Sequence, residues 1–159
     1  MERVCFESKN CSVARAMDVI GDWWSILIVL EAMRGSCHFD QFQTNLDISK
    51  GILSKRLKSL QEHGVLLRVE SEKKVRRVEY RLTPKGSALH TVLIALMQWG
   101  DDWMNAATGA PVVLYNAKNG AALAKLKLQD TQGTTVDPND LRMKAGPGAD
   151  QHTCARFAG

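Results

Sequence analysis

Apolar residues recur with a helical period along most of the chain up to Met104. Val13, Ala14, Met17, Val19 and Ile20 predict a short helix that Gly21 ends. Asp22 is a good cap for a second helix over 23–34, apolar on nearly every side. Trp24, Leu27, Ile28, Glu31 and Ala32 share one face of it; Trp23, Ile26, Leu30 and Met33 share another. Such a helix is expected to lie buried in its domain or at a subunit contact. Gly35 stops it. Phe39, Phe42 and Leu46 then predict a third short helix, and Asp47 and Ile48 a tight turn into Ser49. From Ser49, a natural N-cap, Ile52, Leu53, Leu57 and Leu60 define an apolar face. Lys50, Ser54, Lys55 and Lys58 fall largely opposite, and Gly64 offers a left-handed stop.

The period then changes to two. Leu67 and Val69 alternate with Leu66 and Arg68, and Val78, Tyr80 and Leu82 with Glu79 and Arg81. These predict a pair of strands joined by the charged loop Glu72-Lys73-Lys74-Val75-Arg76-Arg77. Thr83 and Pro84 are preorganised to start a long helix, striped by Leu89, Val92, Leu93, Leu96, Trp99, Trp103 and Met104. That stripe is wider than one small domain readily covers, which points to a second subunit, the alternative being that it closes the domain's own core. From Gly109 the character changes: 111–115 reads as a strand, Asn119-Gly120 as a hairpin turn, and Leu126 and Leu128 alternate with lysines. The expected organisation is an arm at 1–10, a helical domain with a β-hairpin at 11–108, a small β-rich appendage at 109–145 and a flexible tail at 146–159. Helix, turn, helix and basic hairpin in that order predict a winged helix-turn-helix, a mainly α fold whose second helix can enter the DNA major groove.

Charge is unevenly spread. Residues 49–85 hold eleven basic and four acidic side chains, a net +7; the whole chain carries +4, so the remainder sums to −3. A basic surface beside a polar helix face is the electrostatic footprint of a nucleic-acid binder. The alternative is a solvated helix face and a charged hairpin tip that deters edge pairing. Stacking aromatics for single-stranded RNA are missing from 49–81, where Tyr80 stands alone.

With 45% hydrophobic and 24% charged residues the composition is globular, and no apolar run approaches the ~20 residues of a membrane span. The N-terminus lacks the apolar core of a secretory signal, so the expected location is the cytoplasm. Cys5, Cys11, Cys37 and Cys154 form no C-x-x-C pair. No G-x-S-x-G, phosphate-cradling glycine loop or H-E-x-x-H occurs, which argues against an enzyme.

The segments Cys11-Ser12-Val13-Ala14, Asp18-Val19-Ile20-Gly21-Asp22-Trp23-Trp24, Phe39-Asp40, Ile48-Ser49, Leu53-Ser54-Lys55-Arg56-Leu57, Leu60, Gly64 and Tyr80-Arg81-Leu82-Thr83-Pro84-Lys85-Gly86 together form a specific pattern. Over about residues 11–107 the chain resembles the HxlR-type bacterial transcriptional regulators, a winged-helix family related to MarR regulators. The resemblance implies a homodimer on a pseudo-palindromic double-stranded DNA operator, repression as the default mode, and dimer contacts through the N- and C-terminal helices. It departs at Ser12, where many members have proline. The C-terminal extension is similar to a small zinc ribbon without its cysteines; His152 and Cys154 alone fall short of the four ligands of a structural zinc site, so no metal or other cofactor is expected.

Ser49, Lys50, Gly51, Ser54 and Lys55 are the residues expected nearest bases and phosphates, with Lys58 on the same side. Lys50 and Lys55 reach either guanine or phosphate, phosphate being the commoner partner. Arg56 either packs beside the core or reaches the DNA backbone. Lys73, Lys74, Arg76 and Arg77 of the wing are expected on phosphates or in the minor groove. Cys11 precedes a helix, at the positive end of its dipole, with Arg15 one turn on. The cysteine matching it in several family members senses oxidants or electrophiles, and the alternative is a small, partly buried apolar residue. Trp23, Trp24, Trp99 and Trp103 belong either to core and dimer contact or to a pocket for a small-molecule effector. The competing function is a winged-helix protein–protein adaptor without specific DNA binding.

Overall fold

The computed structural model describes residues 5–70, 77–105 and 107–158. The chain forms two compact units, Met1–Leu93 and Ile94–Gly159. In the first, α1 (Ser12–Ile20), α2 (Trp23–Met33), α3 (Phe39–Leu46) and α4 (Lys50–Glu62) precede a hairpin of β1 (Leu66–Glu70) and β2 (Val78–Leu82). A single-turn α5 (Pro84–Ser87) follows, then α6 (His90–Trp103), which begins in the first unit and continues in the second.

The core of the first unit is built by Ile28 and Val29 of α2, Phe42 of α3, Ile48 of the turn and Leu53, Leu57 and Leu60 of α4, closed by Val65, Leu66 and Leu93. Phe42 meets Tyr80 of β2 edge-on, centroids 6.3 Å apart, so the hairpin is anchored on α3. Backbone pairing extends the sheet: Tyr80 N–H donates to Cys37 O at 2.7 Å, and the His38 ring lies 3.1 Å from Val78 O. Cys37 and His38 therefore serve the hairpin through backbone and ring contacts. Among the described residues no buried side-chain nitrogen or oxygen lacks a partner.

Several expectations are corrected. Leu67 points outward, 57% exposed, while Leu66 is buried. Left-handed Gly64 (φ +65°) turns the chain so that Val65 and Leu66 both enter the core, and Leu66 pairs with Leu82. The long helix after Thr83 is two helices. Leu89 N–H bonds to Gly86 O in a tightened turn, and the apolar period runs across the break unchanged. A side chain at Gly86 would put its Cβ within 2.2 Å of the Val65 carbonyl oxygen, so only glycine brings α5 this close to the hairpin. On α2, Ser25, Ile28, Val29 and Glu31 are buried within the domain, while Trp23, 74% exposed, stands on the side left for the subunit contact that is the other expectation.

The second unit also differs from expectation. Its described residues after α6 contain no ladder, only the isolated bridges Tyr115–Ala122 and Gln129–Thr135. The alternation read at 111–128 gives only short pairings: Leu123 N–H donates to Leu114 O at 2.8 Å across the expected Asn119-Gly120 turn, and Val136 N–H to Leu128 O at 2.9 Å, neither extending into a ladder. At the C-terminus Asp150 accepts from Thr153 N–H and starts α7 (Gln151–Arg156), where the sequence reading expects a flexible tail. In the N-terminal arm, Phe6 N–H is held by both carboxylate oxygens of Asp18 at 3.1 and 2.8 Å.

A candidate nucleic-acid interface on α4

α3 ends at Asp47 in a left-handed conformation (φ 49°), and Ile48 plugs the turn at 3% exposure. This delivers Ser49 to the start of α4, where its hydroxyl accepts from Ile52 N–H at 3.4 Å. Leu53, Leu57 and Leu60 face inward, which forces the positions between them outward. Lys50, Gly51, Ser54, Lys55 and Lys58 are all exposed and lie one or two turns apart along one stripe. Lys58 pairs with Glu62 across one turn at 3.7 Å. Nothing within 4 Å would meet a Cβ at Gly51, so this part of the stripe is open to an approaching backbone.

Arg56 is half-buried, its Nε 3.0 Å from Asp22 Oδ1. Asp22 also accepts from Ser25 N–H at 3.0 Å and from the Ser25 hydroxyl at 2.5 Å, so one carboxylate caps α2 and steadies α4. One of the five guanidinium donors of Arg56 is thereby engaged within the protein, leaving others for a phosphate. Arg77 stands 3.8 Å from Asp40 at the base of the hairpin. Lys73, Lys74 and Arg76 lie outside the described residues.

A polar cluster around the buried Glu31 ties α3 to α2. Glu31, 5% exposed, accepts from Arg34 at 2.8 Å, Ser36 at 3.1 Å and Asn45 at 3.0 Å. Burial raises the tendency of Glu31 to take up a proton. The hydrogen bonds from Arg34, Asn45 and Ser36 and the Arg34 charge outweigh it, holding the carboxyl below its ordinary 4.5. The sequence reading missed this cluster. Its only signal is an acidic residue on the apolar face of α2.

Cys11 is the exposed N-cap residue of α1 and its side chain makes no capping bond. Arg15 Nε donates to Lys9 O at 3.0 Å. Trp24 is half-buried against the core of the first unit, whereas Trp99 and Trp103 of the second are 57% and 71% exposed. Among the described residues no three His, Cys, Asp or Glu side chains gather as a metal site would need. No helix among them is long and apolar enough to cross a membrane.

The sequence profile of the HxlR-like helix-turn-helix family matches residues 19–108. An uncharacterized HTH-type transcriptional regulator of Mycobacterium tuberculosis is 34% identical over 137 residues, covering 86% of this chain and 87% of its own. Among solved structures, PA1607, assigned as a transcription factor, superposes with a TM-score of 0.84 at 38% identity, covering 90% of this chain and all of its own. The redox regulator HypR in its oxidized form matches with a TM-score of 0.54 at 27% identity over 58% of this chain and 96% of its own. These relatives are regulators of transcription and not enzymes. With its helix-turn-helix and hairpin in the matching order, this chain belongs to the HxlR-like helix-turn-helix family of transcriptional regulators.

Proposed function

We propose that this protein is a homodimeric repressor that binds a pseudo-palindromic DNA operator through α4 and the wing. The observation that carries the reading is the exposed stripe of Lys50, Gly51, Ser54 and Lys55 set directly behind a rigid buried leucine face. A helix fixed on one side and polar on the other suits insertion into the major groove. Ser49 and the remaining donors of Arg56 reach phosphates beside it; Lys58 and Arg77, with Lys73, Lys74 and Arg76, extend the basic track along the backbone. Val13 and Met17 of α1 and Trp23 of α2 are exposed apolar side chains suited to a subunit contact.

Cys11 is the proposed signal receiver. Its sulfur is accessible and outside any capping bond, so oxidants or electrophiles reach it freely. The redox regulator HypR among its structural relatives supports this choice. A small molecule bound among the tryptophans is the second way the same dimer would respond.

Fluorescence anisotropy of the reduced protein on its own upstream DNA, against a scrambled fragment, tests the reading. Preferential binding that weakens with salt supports the regulator. Equal affinity for both fragments removes operator recognition there, and no binding to either favours a protein–protein adaptor.

A further inference from the structure

Not one described residue of the second unit, 94–158, is buried, although it has a defined backbone. Leu96, Trp99 and Trp103 of α6 and Met104 just after it are between 50% and 71% exposed, and Leu123, Leu126 and Leu128 of the following arm between 45% and 49%. The arm is held to α6 by polar bonds. Gln98 acts as a strand would: its Oε1 accepts from Leu126 N–H at 2.8 Å and its Nε2 donates to Ala124 O at 3.2 Å. Lys125 Nζ lies 2.5 Å from Asp102 Oδ1 between them. The clamp orders the arm without covering its leucines.

The exposed area fits a missing subunit. Two separately folded domains dividing this mass in proportion to chain length would together expose about 9,500 Å². The chain exposes 12400 Å². The excess, roughly 2,900 Å², is of the order that an obligate homodimer removes from each protomer, about 1,000 to 2,500 Å². Charge selects the partner. The second unit carries six basic and six acidic residues, a net charge of zero, while all of the chain's +4 resides in the first. With no net charge the unit exerts no net pull on DNA or on a highly charged protein, and it meets its own copy without net like-charge repulsion.

We infer that the arm around Leu123–Leu128 and the exposed face of α6 form an interchain module, completed by the same surfaces of a second copy across a twofold axis. This deepens the homodimer reading and rests on it. The C-terminal extension is thus a dimer clasp: each arm, preset by Gln98, covers apolar surface of the other protomer.

The test uses the full-length protein. Sedimentation velocity over a dilution series gives the dimer constant, and hydrogen exchange of the 121–129 amides is followed over the same series. In the wild type, arm protection is expected to fall as dimers dissociate. Leu126→Asp with Leu128→Asp should weaken dimerisation roughly tenfold or more. Gln98→Ala, which leaves every apolar side chain in place, should speed exchange in the arm and weaken the dimer. An unchanged dimer constant in both variants overturns the clasp while leaving a dimer made by the first unit. Arm exchange indifferent to dilution in dissociating wild type overturns it too, as does a chain monomeric at all concentrations. Loss of operator preference in a protein whose arm variants still dissociate would sink the repressor reading and leave the clasp standing.

Discussion

Arg56 Nε and Asp22 Oδ1, 3.0 Å apart, join the helix offered to DNA to the first turn of α2. The carboxylate that caps one helix thus also fixes the rotation of another. Asp22→Ala removes both functions and should cost about 1–2 kcal/mol, mostly the cap. Arg56→Ala should cost less than about 1 kcal/mol, since the pair is partly solvated. Urea denaturation of the two variants and their double mutant measures the coupling; a larger loss at Arg56 than at Asp22 contradicts the assignment.

Gly86 and Gly51 predict opposite outcomes for the same change. Gly86→Ala drives a methyl group against the Val65 carbonyl and should destabilise by about 1–3 kcal/mol or more. Gly51→Ala has open space and gains helix propensity, so stability should hold or rise by up to about 1 kcal/mol. Melting curves decide the stability, and a drop in operator affinity for Gly51→Ala would mark close backbone approach.

Acid sensitivity should trace in part to Glu31. Its folded-state carboxyl is held below 4.5, so its contribution is fully present above that pH and is lost as pH falls through the lower folded-state value. Glu31→Gln should flatten the fall in stability below 4.5 at some cost near neutrality. An identical acid limb in both proteins would rule Glu31 out.

Lys50→Ala and Lys55→Ala should leave the melting temperature nearly unchanged, because both side chains are exposed. If each contacts a phosphate, each removes about 0.9 from the log–log salt slope of DNA binding. A salt slope equal to wild type in both variants would take them off the DNA.

Diamide should change operator affinity reversibly in the wild type and leave Cys11→Ser unaffected. Retention of the response in Cys11→Ser would transfer the role to another of the free thiols Cys5, Cys37 and Cys154.

The helix-turn-helix was legible in the sequence because short-range rules govern it. Asp22 and Ser49 cap where their side chains dictate, and the leucine period of α4 fixes which lysines face water. What escaped depends on partners distant along the chain. Leu66 turns inward through the route that Gly64 imposes, the helix after Thr83 breaks where Gly86 meets Val65, and Asn45 reaches back to Glu31. The extension misled for another reason: alternation at 123–128 signals extended chain, but a sheet also requires an aligned neighbour, and here a glutamine side chain takes that place.

The base of the wing is closed by Thr83, whose N–H and hydroxyl both reach Val65 O, and by Gly86 against the same carbonyl. Leu66 and Leu82, paired with each other, therefore begin and end the hairpin at one fixed point. Each doubling of a loop closed in this way costs only about 0.6 kcal/mol in closure entropy. Insertions and deletions in the sequence between β1 and β2 leave this closure and the strand contacts with α3 in place, so segments of new length and charge can be exchanged there while the domain beneath folds as before.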